Sequence, residues 1–578
     1  MSHIELTDKL EGFRTRNSNN HCYINRDVYR LLYDKDLYFI AYNRLKSNKG
    51  AETEGSDGTS LHGFCEDWID ELITSFRDES YQPNPSRSIL IPKKNGKMRR
   101  LSFPNGKDKI VQECVHIILD CIYEPTFSNL SHGFRPNRSI HSALAQVSTW
   151  NATVWFIEGD ISACFDEVDH RILENILRER INDERFIRLI NKLLRAGYFD
   201  TDLHFHPTKQ STGQGSTCSP ILANIYLDKL DRYMEQVIER DTLGIQRKHS
   251  TRYNKLRYQL KKAKDVHDIP LIKKINKELN DIKVVDEMDS NFRRIHYVRY
   301  ADDFLIGTIS SKEYAVKLKE EIKEFLENEL HLRLSETKTK ITSARFEEAQ
   351  FLGYFLQKKY FKVQTYIDMN RMIHKLHDNG MCKLNGEPTS VTKWFNLSIE
   401  EIITKGNNIL RGLINNNQCC IDFHKCWRVQ YIIQFSIAKT LARKFDTSIK
   451  KLFKKHGECL KFKYTNPKGQ RKTIKLALYN SFRFDETFFR NWLIKIKTPI
   501  TVEYKTRSPL IKCYRCGTPN NLAMYHRKVK SRMKVPYPNV EKEMLRINRR
   551  QLCLCRDCFK KAIHEPTVLF TPLKRKLV

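Results

Sequence analysis

The stretch Tyr300-Ala301-Asp302-Asp303 constrains this chain most, because it places two adjacent carboxylates between two β-forming runs, 296–299 and 304–307. Such runs on either side of a short acidic pair predict a hairpin with the carboxylates at its tip. Adjacent carboxylates at a tight turn are costly unless a cation neutralises them. Two divalent metals that bridge the phosphates of a nucleotide are the expected neutraliser. The hairpin therefore predicts a nucleic-acid polymerase.

Composition indicates a polyanionic partner. The chain has 578 residues, enough for several domains, and its 101 Lys and Arg against 68 Asp and Glu give a formal net charge of +33 that is spread along the chain. Nucleic acid is the first candidate, although a ribosome-associated or merely basic protein has the same composition. No apolar run approaches the roughly 18–20 residues of a membrane span, and residues 1–8 resemble neither a signal nor a transit peptide. We expect no membrane partner and use in the compartment where the protein is made.

A third carboxylate is needed on another strand that faces the hairpin tip. Asp160 follows the apolar run 155–157, which is typical of a buried strand. We predict that Asp160 and Asp302 hold two Mg²⁺ ions, one lowering the pKa of the primer 3′-hydroxyl and one bridging the triphosphate, with Asp303 in support. Three nearby acids are expected on the surface or at the cap of the following helix: Glu158, Asp166 and Asp169.

These residues resemble the reverse transcriptases, in which the Tyr-Ala-Asp-Asp segment is preceded by an Asp five residues before an aromatic. Phe165 is that aromatic here. The resemblance implies that Phe165 lies under the sugar and excludes the 2′-hydroxyl of the incoming nucleotide; the alternative is an ordinary core Phe. It also implies an α+β fold shaped as a right hand, with fingers, palm and thumb.

Further segments resemble the same family in the same order. Residues 91–100 resemble the fingers hairpin, in which Lys93 and Arg99 would contact the triphosphate, with Lys94 and Arg100 as substitutes. Residues 133–139 resemble the template-contact region, which makes Arg135 a nucleic-acid-binding candidate.

The later segments complete this order. Residues 213–224 resemble the loop and helix where Gln214 would position the template base and the incoming nucleotide. Residues 334–339 resemble the motif whose Lys338 would protonate the pyrophosphate, and residues 351–354 resemble the primer grip. A single match is weak, but six matches in order across residues 90–355 argue strongly for a reverse transcriptase.

Residues 42–51 and 55–58 resemble the N-terminal extension of the group II intron-encoded proteins. Retroviral enzymes lack this extension and also lack the basic insertion at about 247–287. The charged sequence of that insertion predicts a helical hairpin that is either solvated or in contact with RNA. The predicted domains are the N-terminal extension (1–85), fingers and palm (86–365), a helical thumb called the maturase X domain (366–500) and a C-terminal module (505–578).

The segment 431–444 resembles the best-marked helix of the maturase domain. A thumb holds a duplex by its phosphates, so its basic residues are candidates for nucleic-acid binding, against the alternative of a solvated helix. They are Lys439, Arg443, Lys444, Lys450, Lys451 and Lys454. The resemblance implies that the protein binds group II intron RNA, assists splicing and copies the intron into target DNA from deoxynucleoside triphosphates. The alternatives are an RNA-binding splicing factor without active polymerase or endonuclease, another type of reverse transcriptase and an RNA-dependent RNA polymerase.

The C-terminal module carries two CxxC pairs, Cys513/Cys516 and Cys555/Cys558, which together predict a structural tetrahedral Zn²⁺ site, with Cys553 as a spare. The module resembles the HNH endonuclease domain of group II intron proteins, in which His526 would be the general base that nicks DNA.

The module departs from the HNH pattern at two positions. Tyr525 stands where the family has a metal-ligating His, and Phe559 stands where it has another His. A neutral phenol is a poor ligand for a hard cation, so the zinc fold is predicted and DNA cutting is left open. The basic cluster Arg546-Arg549-Arg550 suits binding of target DNA.

Location is predicted by resemblance as well. The Asn- and Lys-rich composition and the altered HNH module resemble organelle-encoded members, which favours the mitochondrion over a bacterial cytoplasm or a chloroplast.

Overall fold

The structure is a computed structural model. It describes residues 3–48, 50–92, 96, 98–208, 210–213, 215–282, 284–286, 289, 291–465, 470–482, 487–498, 502, 504–526 and 551–564. Lys93 and Gln214, predicted to bind the nucleotide, lie outside the described residues, as do Lys94 and the cluster at 546–550. None of the helices among the described residues combines the length and apolarity of a membrane span.

The N-terminal extension is helical and leads into the fingers. Its elements and those of the fingers are α1 (His3–Asn19), α2 (Lys35–Leu45), β1 (Phe64–Cys65), α3 (Glu66–Arg77), β2 (Ser86–Pro92), β3 (Met98–Phe103) and α4 (Gly106–Tyr123). Strands β2 and β3 form the antiparallel fingers hairpin, as the segment at 91–100 predicts. Helix α4 is buried along nearly its whole length, because the apolar residues of α2 and of the palm helices cover it on several sides.

The first half of the palm alternates short strands with helices. Its elements are α5 (Ile140–Val147), β4 (Trp155–Ser162), α6 (Cys164–Glu167), α7 (His170–Arg178), α8 (Glu184–Arg195), β5 (Tyr198–Phe199), β6 (Phe205–His206) and α9 (Ser219–Asp241). Helix α7 begins where it does because the Asp169 side chain accepts a hydrogen bond from the Arg171 amide at 2.8 Å. Asp169 is therefore a helix cap, as predicted.

A helical hairpin interrupts the palm, as the charged stretch predicts. It consists of α10 (Thr251–Asp265) and α11 (Ile269–Asp281). Each helix has an N-terminal cap, because Ser250 accepts from the Tyr253 amide and Asp268 accepts from the Leu271 amide. A small core of its own holds the two helices together, formed by Leu256, Leu260, Ala263 and Ile275.

The rest of the palm contains β7 (Arg294–Tyr300), β8 (Asp303–Ile309), α12 (Lys312–Leu330), β9 (Arg333–Leu334), β10 (Lys340–Ser343), β11 (Ala349–Phe351), β12 (Tyr354–Lys359) and β13 (Lys362–Ile367). The central sheet has the strand order β10-β4-β8-β7, with β9 beside β4. Because β4 and β8 are neighbours, side chains from two distant parts of the chain meet at one end of the sheet.

The thumb is mainly helical, and its hydrophobic core is continuous with palm residues such as Leu144, Phe156 and Leu305. Its elements are α13 (Met369–Asp378), α14 (Ile399–Asn416), α15 (Cys426–Lys444), α16 (Ile449–His456), β14 (Phe462–Thr465), β15 (Arg471–Ile474) and α17 (Phe488–Lys497). A capping box between Ser398 and Glu401 starts α14. Arg443 and Lys444 lie in the last turn of α15, where positive charge is favourable.

The C-terminal elements are β16 (Leu522–His526), β17 (Gln551–Cys555) and α18 (Arg556–His564). The sequence predicts a separate module, but β16 pairs with β1 of the N-terminal extension, with Phe64 opposite Met524 and Cys65 opposite Ala523. The Gly63 amide also donates to the Met524 carbonyl at 2.9 Å. The two ends of the chain thus share one three-stranded sheet.

Candidate active site

The predicted acidic hairpin is present. Strands β7 and β8 are antiparallel, and Tyr300 pairs with Asp303, so Ala301 and Asp302 form the two-residue turn. Ala301 has a φ of 58°, an uncommon left-handed conformation for a residue other than glycine. The turn is held from one side by the chain at Gly133, where a Cβ would lie 2.3 Å from the Ala301 nitrogen. Only glycine permits this approach.

The third carboxylate lies beside the hairpin. Strand β4 runs antiparallel to β8, with Asp160 directly opposite Asp303 and Gly159 opposite Phe304. A Cβ at Gly159 would lie 2.1 Å from the Phe304 ring, so glycine is required for the strand to pass this close. The two strands therefore bring Asp160, Asp302 and Asp303 to one cleft, which all three residues line.

The cleft concentrates negative charge. Burial, with the charges of Asp302 and Asp160, raises the pKa of Asp303 to about 7, and burial and the Asp160 charge also raise the pKa of Asp302. The Lys338 ammonium donates to both Asp160 oxygens, at 2.9 and 2.8 Å, and this contact raises the Lys338 pKa. Carboxylate oxygens that are short of positive charge match the ligand preference of a hard divalent cation.

A buried network holds the catalytic turn from below. The Arg299 guanidinium, fully buried, pairs with Asp231 at 2.5 Å and donates to the Ala301 carbonyl at 2.9 Å. It also donates to Asn224 at 3.2 Å, and Asn224 in turn donates to the Gly133 carbonyl at 2.9 Å. Sequence reasoning missed this network. The available signal was a charged residue, Arg299, within an otherwise buried strand.

The two fingers arginines point in opposite directions. Arg99 pairs with Ile91 and Arg100 with Leu90, so the side chains alternate across the hairpin. The Arg100 guanidinium lies 4.3 Å from the centroid of the Tyr198 ring of β5, the strand that pairs with β2. The Arg99 charge instead lowers the pKa of Asp302, against the larger effect of burial. Arg99 therefore acts on the catalytic cleft and stays the candidate for triphosphate contact.

The loop that precedes α9 joins the fingers to the palm. Gly215 has a φ of 110°, and a Cβ there would lie 2.3 Å from the Ser102 carbonyl of β3. Gln112 of α4 accepts hydrogen bonds from the Ser216 hydroxyl at 2.9 Å and the Thr217 amide at 3.0 Å. Phe165 is half-buried beside this loop, with its ring centroid 6.0 Å from that of Phe134 in an edge-on contact.

Arg135 does not contact a template strand, so that prediction is wrong. Its side chain is only 3% exposed and pairs with Glu124 at 2.9 Å. It also donates to the Ser128 carbonyl at 2.6 Å and the Ser131 carbonyl at 2.9 Å. Because its donors point inward, Arg135 stabilises the loop that supports the catalytic turn.

Two thumb lysines hold the protein's own backbone. The Lys439 amine donates to the Pro388 carbonyl at 2.8 Å, and the Lys444 amine donates to the carbonyls of Phe395 and Leu397 at 2.7 and 2.8 Å. These contacts fasten the segment at 388–397 to α15, and the predicted phosphate contact of the two lysines stays a prediction. Arg443 is exposed and donates to Ser390 at 2.8 Å. The candidates that are exposed on α16 are Lys450, Lys451 and Lys454.

The acidic residues that flank Asp160 in the sequence differ in exposure. Asp166 is exposed, as predicted. Glu158 is half-buried, hydrogen-bonds to the Thr342 hydroxyl and accepts from the Gln350 amide at 2.8 Å. Glu158 is therefore not a helix cap: it lies on β4 opposite Lys340 of β10 and lines the catalytic cleft.

The four predicted cysteines converge at the C-terminus. The sulfurs of Cys513, Cys516, Cys555 and Cys558 all lie within 4.8 Å of one another, and those of Cys516 and Cys555 are 3.7 Å apart. Burial opposes ionisation of Cys513, but backbone donors at its sulfur outweigh burial and lower its pKa to about 6. These four thiols form what we call the four-cysteine site, and Cys553 is outside it.

The positions that depart from the HNH pattern are packed against each other. The Tyr525 and Phe559 rings are stacked, with centroids 3.4 Å apart and an interplanar angle of 10°. The His62 ring of the N-terminal extension lies 5.2 Å from Tyr525 and 5.4 Å from Phe559. The predicted base, His526, is described only as the last residue of β16, and its side chain lies outside the described part of the chain.

Comparison with known families agrees with this geometry. Residues 91–254 and 275–356 match the family "Reverse transcriptase (RNA-dependent DNA polymerase)", and residues 361–506 match "Type II intron maturase". The chain is 31% identical to the group II intron-encoded protein LtrA of Lactococcus lactis subsp. cremoris, across 96% of this chain and 98% of that protein. It is 34% identical to the 91 kDa protein in the cob intron of Schizosaccharomyces pombe, across 96% of this chain and 72% of that protein. It is 29% identical to the COX1/OXI3 intron 2 protein of Saccharomyces cerevisiae, across 98% of this chain and 69% of that protein.

This protein is a reverse transcriptase, as the palm hairpin, the facing carboxylate and the matching family together indicate. Enzymes of this class use divalent metal and take RNA and nucleotides as substrates. Within that class, the chain belongs to the group II intron-encoded reverse transcriptases and maturases.

Proposed function

We propose that the protein copies group II intron RNA into DNA by two-metal nucleotidyl transfer and assists splicing of that RNA. The observation that carries the polymerase proposal is the register of β4 against β8, which sets Asp160 opposite Asp303 beside the turn that carries Asp302. Two Mg²⁺ ions, when bound, would activate the primer hydroxyl and neutralise the triphosphate.

The side chains around the catalytic cleft have distinct roles in this proposal. Asp160 and Asp302 supply the oxygen ligands, and Asp303 takes up a proton when metal is absent, because its pKa is raised to about 7. Lys338 is the general acid for pyrophosphate, since its ammonium already reaches the carboxylate edge of the cleft at 2.8 Å. Arg99 orients the triphosphate by its charge, and Phe165 excludes the 2′-hydroxyl.

The maturase proposal rests on the thumb. The residues that we propose for phosphate contact are Arg443, Lys450, Lys451 and Lys454, which are all exposed. Lys439 and Lys444 contribute indirectly, because they hold the segment at 388–397 against α15. The same surfaces would contact target DNA when the intron is copied into a new site.

For the C-terminal region we propose a structural Zn²⁺ at the four-cysteine site and no DNA cutting. Four thiolates suit zinc, and the low pKa of Cys513 favours the ligating form. The alternative is an active HNH nuclease. The stacked rings of Tyr525 and Phe559 argue against it, because neither ring offers a ligand for a hard cation and each fills space against the other.

We further propose that the protein acts where it is encoded, in a mitochondrion. Relatives from two yeasts and from a bacterium fit an organelle or a bacterial origin.

The test separates copying from splicing. RNA that co-purifies with the protein is sequenced to identify the cognate intron, and splicing of that intron is then measured with wild type and with Asp302→Asn. Enrichment of one intron and equal splicing by both proteins, with primer extension by wild type alone, support the proposal. Random cellular RNA contradicts the maturase role, and loss of splicing in Asp302→Asn contradicts the separation of splicing from copying.

A further inference from the structure

Three aromatic rings project from two turns that border the three-stranded sheet β11-β12-β13. Phe346 is 80% exposed, Tyr360 is 84% exposed and Phe361 is 71% exposed, the highest values for any Phe, Tyr or Trp among the described residues. Phe346 lies in the turn between β10 and β11, and the other two form the turn between β12 and β13. Exposed rings of this size, grouped together, mark an interaction surface.

The two turns are adjacent. The Lys358 amide donates to the Ala344 carbonyl at 2.6 Å, and the Gln357 side chain donates to the Arg345 carbonyl at 3.4 Å. The backbone of the second turn is anchored in turn to the palm, because the Ala152 amide donates to the Phe361 carbonyl at 2.7 Å. The rings therefore project from a fixed backbone.

The backbone conformation at Tyr360, in the turn between β12 and β13, is one that an aromatic residue rarely adopts. Tyr360 has a φ of 58°, in the left-handed region where glycine or asparagine is favoured and an aromatic residue is strained. The exposed Tyr360 ring does not compensate for this backbone strain by packing in the interior. This combination points to a role for the ring outside the fold.

Basic residues lie in or beside the two turns. They are Lys312, Arg345, Lys358, Lys359 and Lys362. Arg345 lies 5.4 Å from the centroid of the Phe346 ring, and Lys312 lies 5.6 Å from that of the Trp155 ring, whose backbone pairs with Ser343 at the end of β10. We call these five residues and the three exposed rings the distal patch.

The nearby acids do not cancel this charge. Glu347 keeps its negative charge while it accepts a hydrogen bond from the Ser343 amide of its own turn at 2.8 Å, and Glu348 lines the catalytic cleft. These two acids offset only part of the charge of the five basic residues. The net charge of the distal patch is therefore positive, which favours a polyanionic partner over a protein surface of ordinary composition.

The distal patch is separate from the polymerase cleft. Leu352 and Gly353, at one end of β12, line the cleft, whereas Tyr360 follows the other end of this six-residue strand. A strand of this length spans about 20 Å. A primer–template duplex in the cleft would leave the distal patch open to a second segment of nucleic acid.

We propose that the distal patch binds a single-stranded segment of the intron RNA, with unstacked bases on the rings of Phe346, Tyr360 and Phe361 and phosphates on the flanking lysines. Single strands present the free base faces that exposed rings recognise, and bases in a duplex do not. This inference rests on the proposed maturase function, for which it supplies a contact outside the thumb and the cleft.

The test uses the full-length protein and the intron RNA that co-purifies with wild type. The patch variant is Phe346→Ser, Tyr360→Asn and Phe361→Ser, in which asparagine suits the left-handed turn and preserves folding. The control variant, Leu203→Ser and Ile245→Ser, removes two apolar side chains that are 78% and 98% exposed elsewhere. Affinity is measured by filter binding, and polymerase activity by extension of a DNA primer on a homopolymer RNA.

The proposal predicts that the patch variant loses at least about tenfold in affinity for the intron RNA, because base–ring stacking contributes substantially per base. Extension on the homopolymer and the affinity of the control variant should match wild type. Unchanged affinity of the patch variant overturns the proposal and leaves a protein partner as the explanation of the rings. If wild type itself shows no preference for one intron, the proposed maturase function fails instead.

A second variant tests the charge without altering the rings. Lys359→Gln with Lys362→Gln should reduce the slope of log affinity against log salt concentration by about 1.4, since each contact to single-stranded phosphate contributes roughly 0.7. An unchanged slope contradicts phosphate contact at the distal patch. Ultraviolet crosslinks from the RNA should map to residues 345–362 in wild type, and crosslinks found only in the thumb would overturn the proposal.

Discussion

The palm and the C-terminal region each gather a cluster of side chains that could hold metal ions, but the surroundings of the clusters differ. In the palm, Asp160, Asp302 and Asp303 meet in an open cleft where burial and mutual repulsion raise the pKa of two of them. At the C-terminus, four thiols meet beside the stacked rings of Tyr525 and Phe559. Carboxylates with perturbed pKa values that face an open cleft indicate a reaction centre. Four thiols that fill a tetrahedral ligand set indicate a structural metal site.

The two clusters also depend on different supports. The catalytic turn is held by the buried pair Arg299–Asp231, which lies within the palm itself. The four-cysteine site is built on β17, whose partner β16 pairs with β1 of the N-terminal extension. Loss of the first support should affect catalysis directly, and loss of the second should affect the stability of both chain ends.

The largest expected effect is at the palm. Asp302→Asn should reduce primer extension by more than about 100-fold, since even the outer-shell partners of metal ligands contribute 10–100-fold. Asp166→Asn, an exposed carboxylate on the segment after β4, is the matched control and should retain activity. Comparable activity in Asp302→Asn and wild type would remove the catalytic assignment.

Substitution at the four-cysteine site should reduce zinc content and thermal stability. Cys555→Ser should lose bound zinc and lower the melting temperature by several degrees, because the metal stabilises the sheet that joins the chain ends. Cys553→Ser alters the same strand outside the cluster and should keep its zinc. Zinc content and thermal unfolding are measured together, and loss of zinc in both variants would contradict the assigned ligand set.

The support of the catalytic turn can be broken by one substitution. Arg299→Gln should lower the free energy of unfolding by about 3–5 kcal/mol, because it leaves Asp231 buried without its partner. Urea denaturation measures this loss. The double variant Arg299→Met with Asp231→Leu should lose less than the sum of the two single variants, and strict additivity would argue against the pair.

Close strand packing at the palm gives a smaller effect. Gly159→Ala should destabilise the protein by about 1–3 kcal/mol, because the added Cβ would meet the Phe304 ring. The matched control is Gly412→Ala in α14, where nothing lies within 4 Å of an added Cβ. This control should be stabilised by about 0.5–1 kcal/mol. Equal effects at both positions would show that the contact with Phe304 is unimportant.

The smallest expected effect is a pH dependence of stability. The pKa of Asp303 is raised from 3.8 to about 7, first by burial and then by Asp302 and Asp160. Its contribution to the stability of the metal-free protein is complete below about pH 4 and is lost as pH rises through about 7. In EDTA, wild type should therefore lose more stability than Asp303→Asn between pH 5 and 8, and Mg²⁺ should restore it. Parallel pH profiles would contradict the raised pKa.

Local patterns made the catalytic hairpin predictable. Flanking β-formers set the hairpin, and the acidic pair set its turn, so Asp302 and Asp303 needed no tertiary information. Asp160 was found because it follows the apolar run 155–157 of its own strand, β4. The cysteine pairs were equally local, with fixed spacing within each pair.

Burial and long-range pairing could not be predicted from these patterns. Arg135 and Lys439 have the same charge as exposed residues, and only the packed structure shows that their donors reach backbone carbonyls. The pairing of Phe64 with Met524 joins positions that are distant in the chain and carries no local signal. Arg299 was overlooked because its partner, Asp231, comes from another element.

The comparison between the two clusters can be tested in one measurement. Fe²⁺ replaces Mg²⁺ in the full-length protein, and hydrogen peroxide is added with ascorbate. The bound Fe²⁺ reduces the peroxide to hydroxide and a hydroxyl radical, which cuts the chain next to the metal, and ascorbate reduces the Fe³⁺ that forms. The account predicts cleavage near Asp160 and Asp302 that excess Mg²⁺ suppresses, and none at Tyr525 or Phe559. Cleavage at the stacked rings with an intact palm would contradict it.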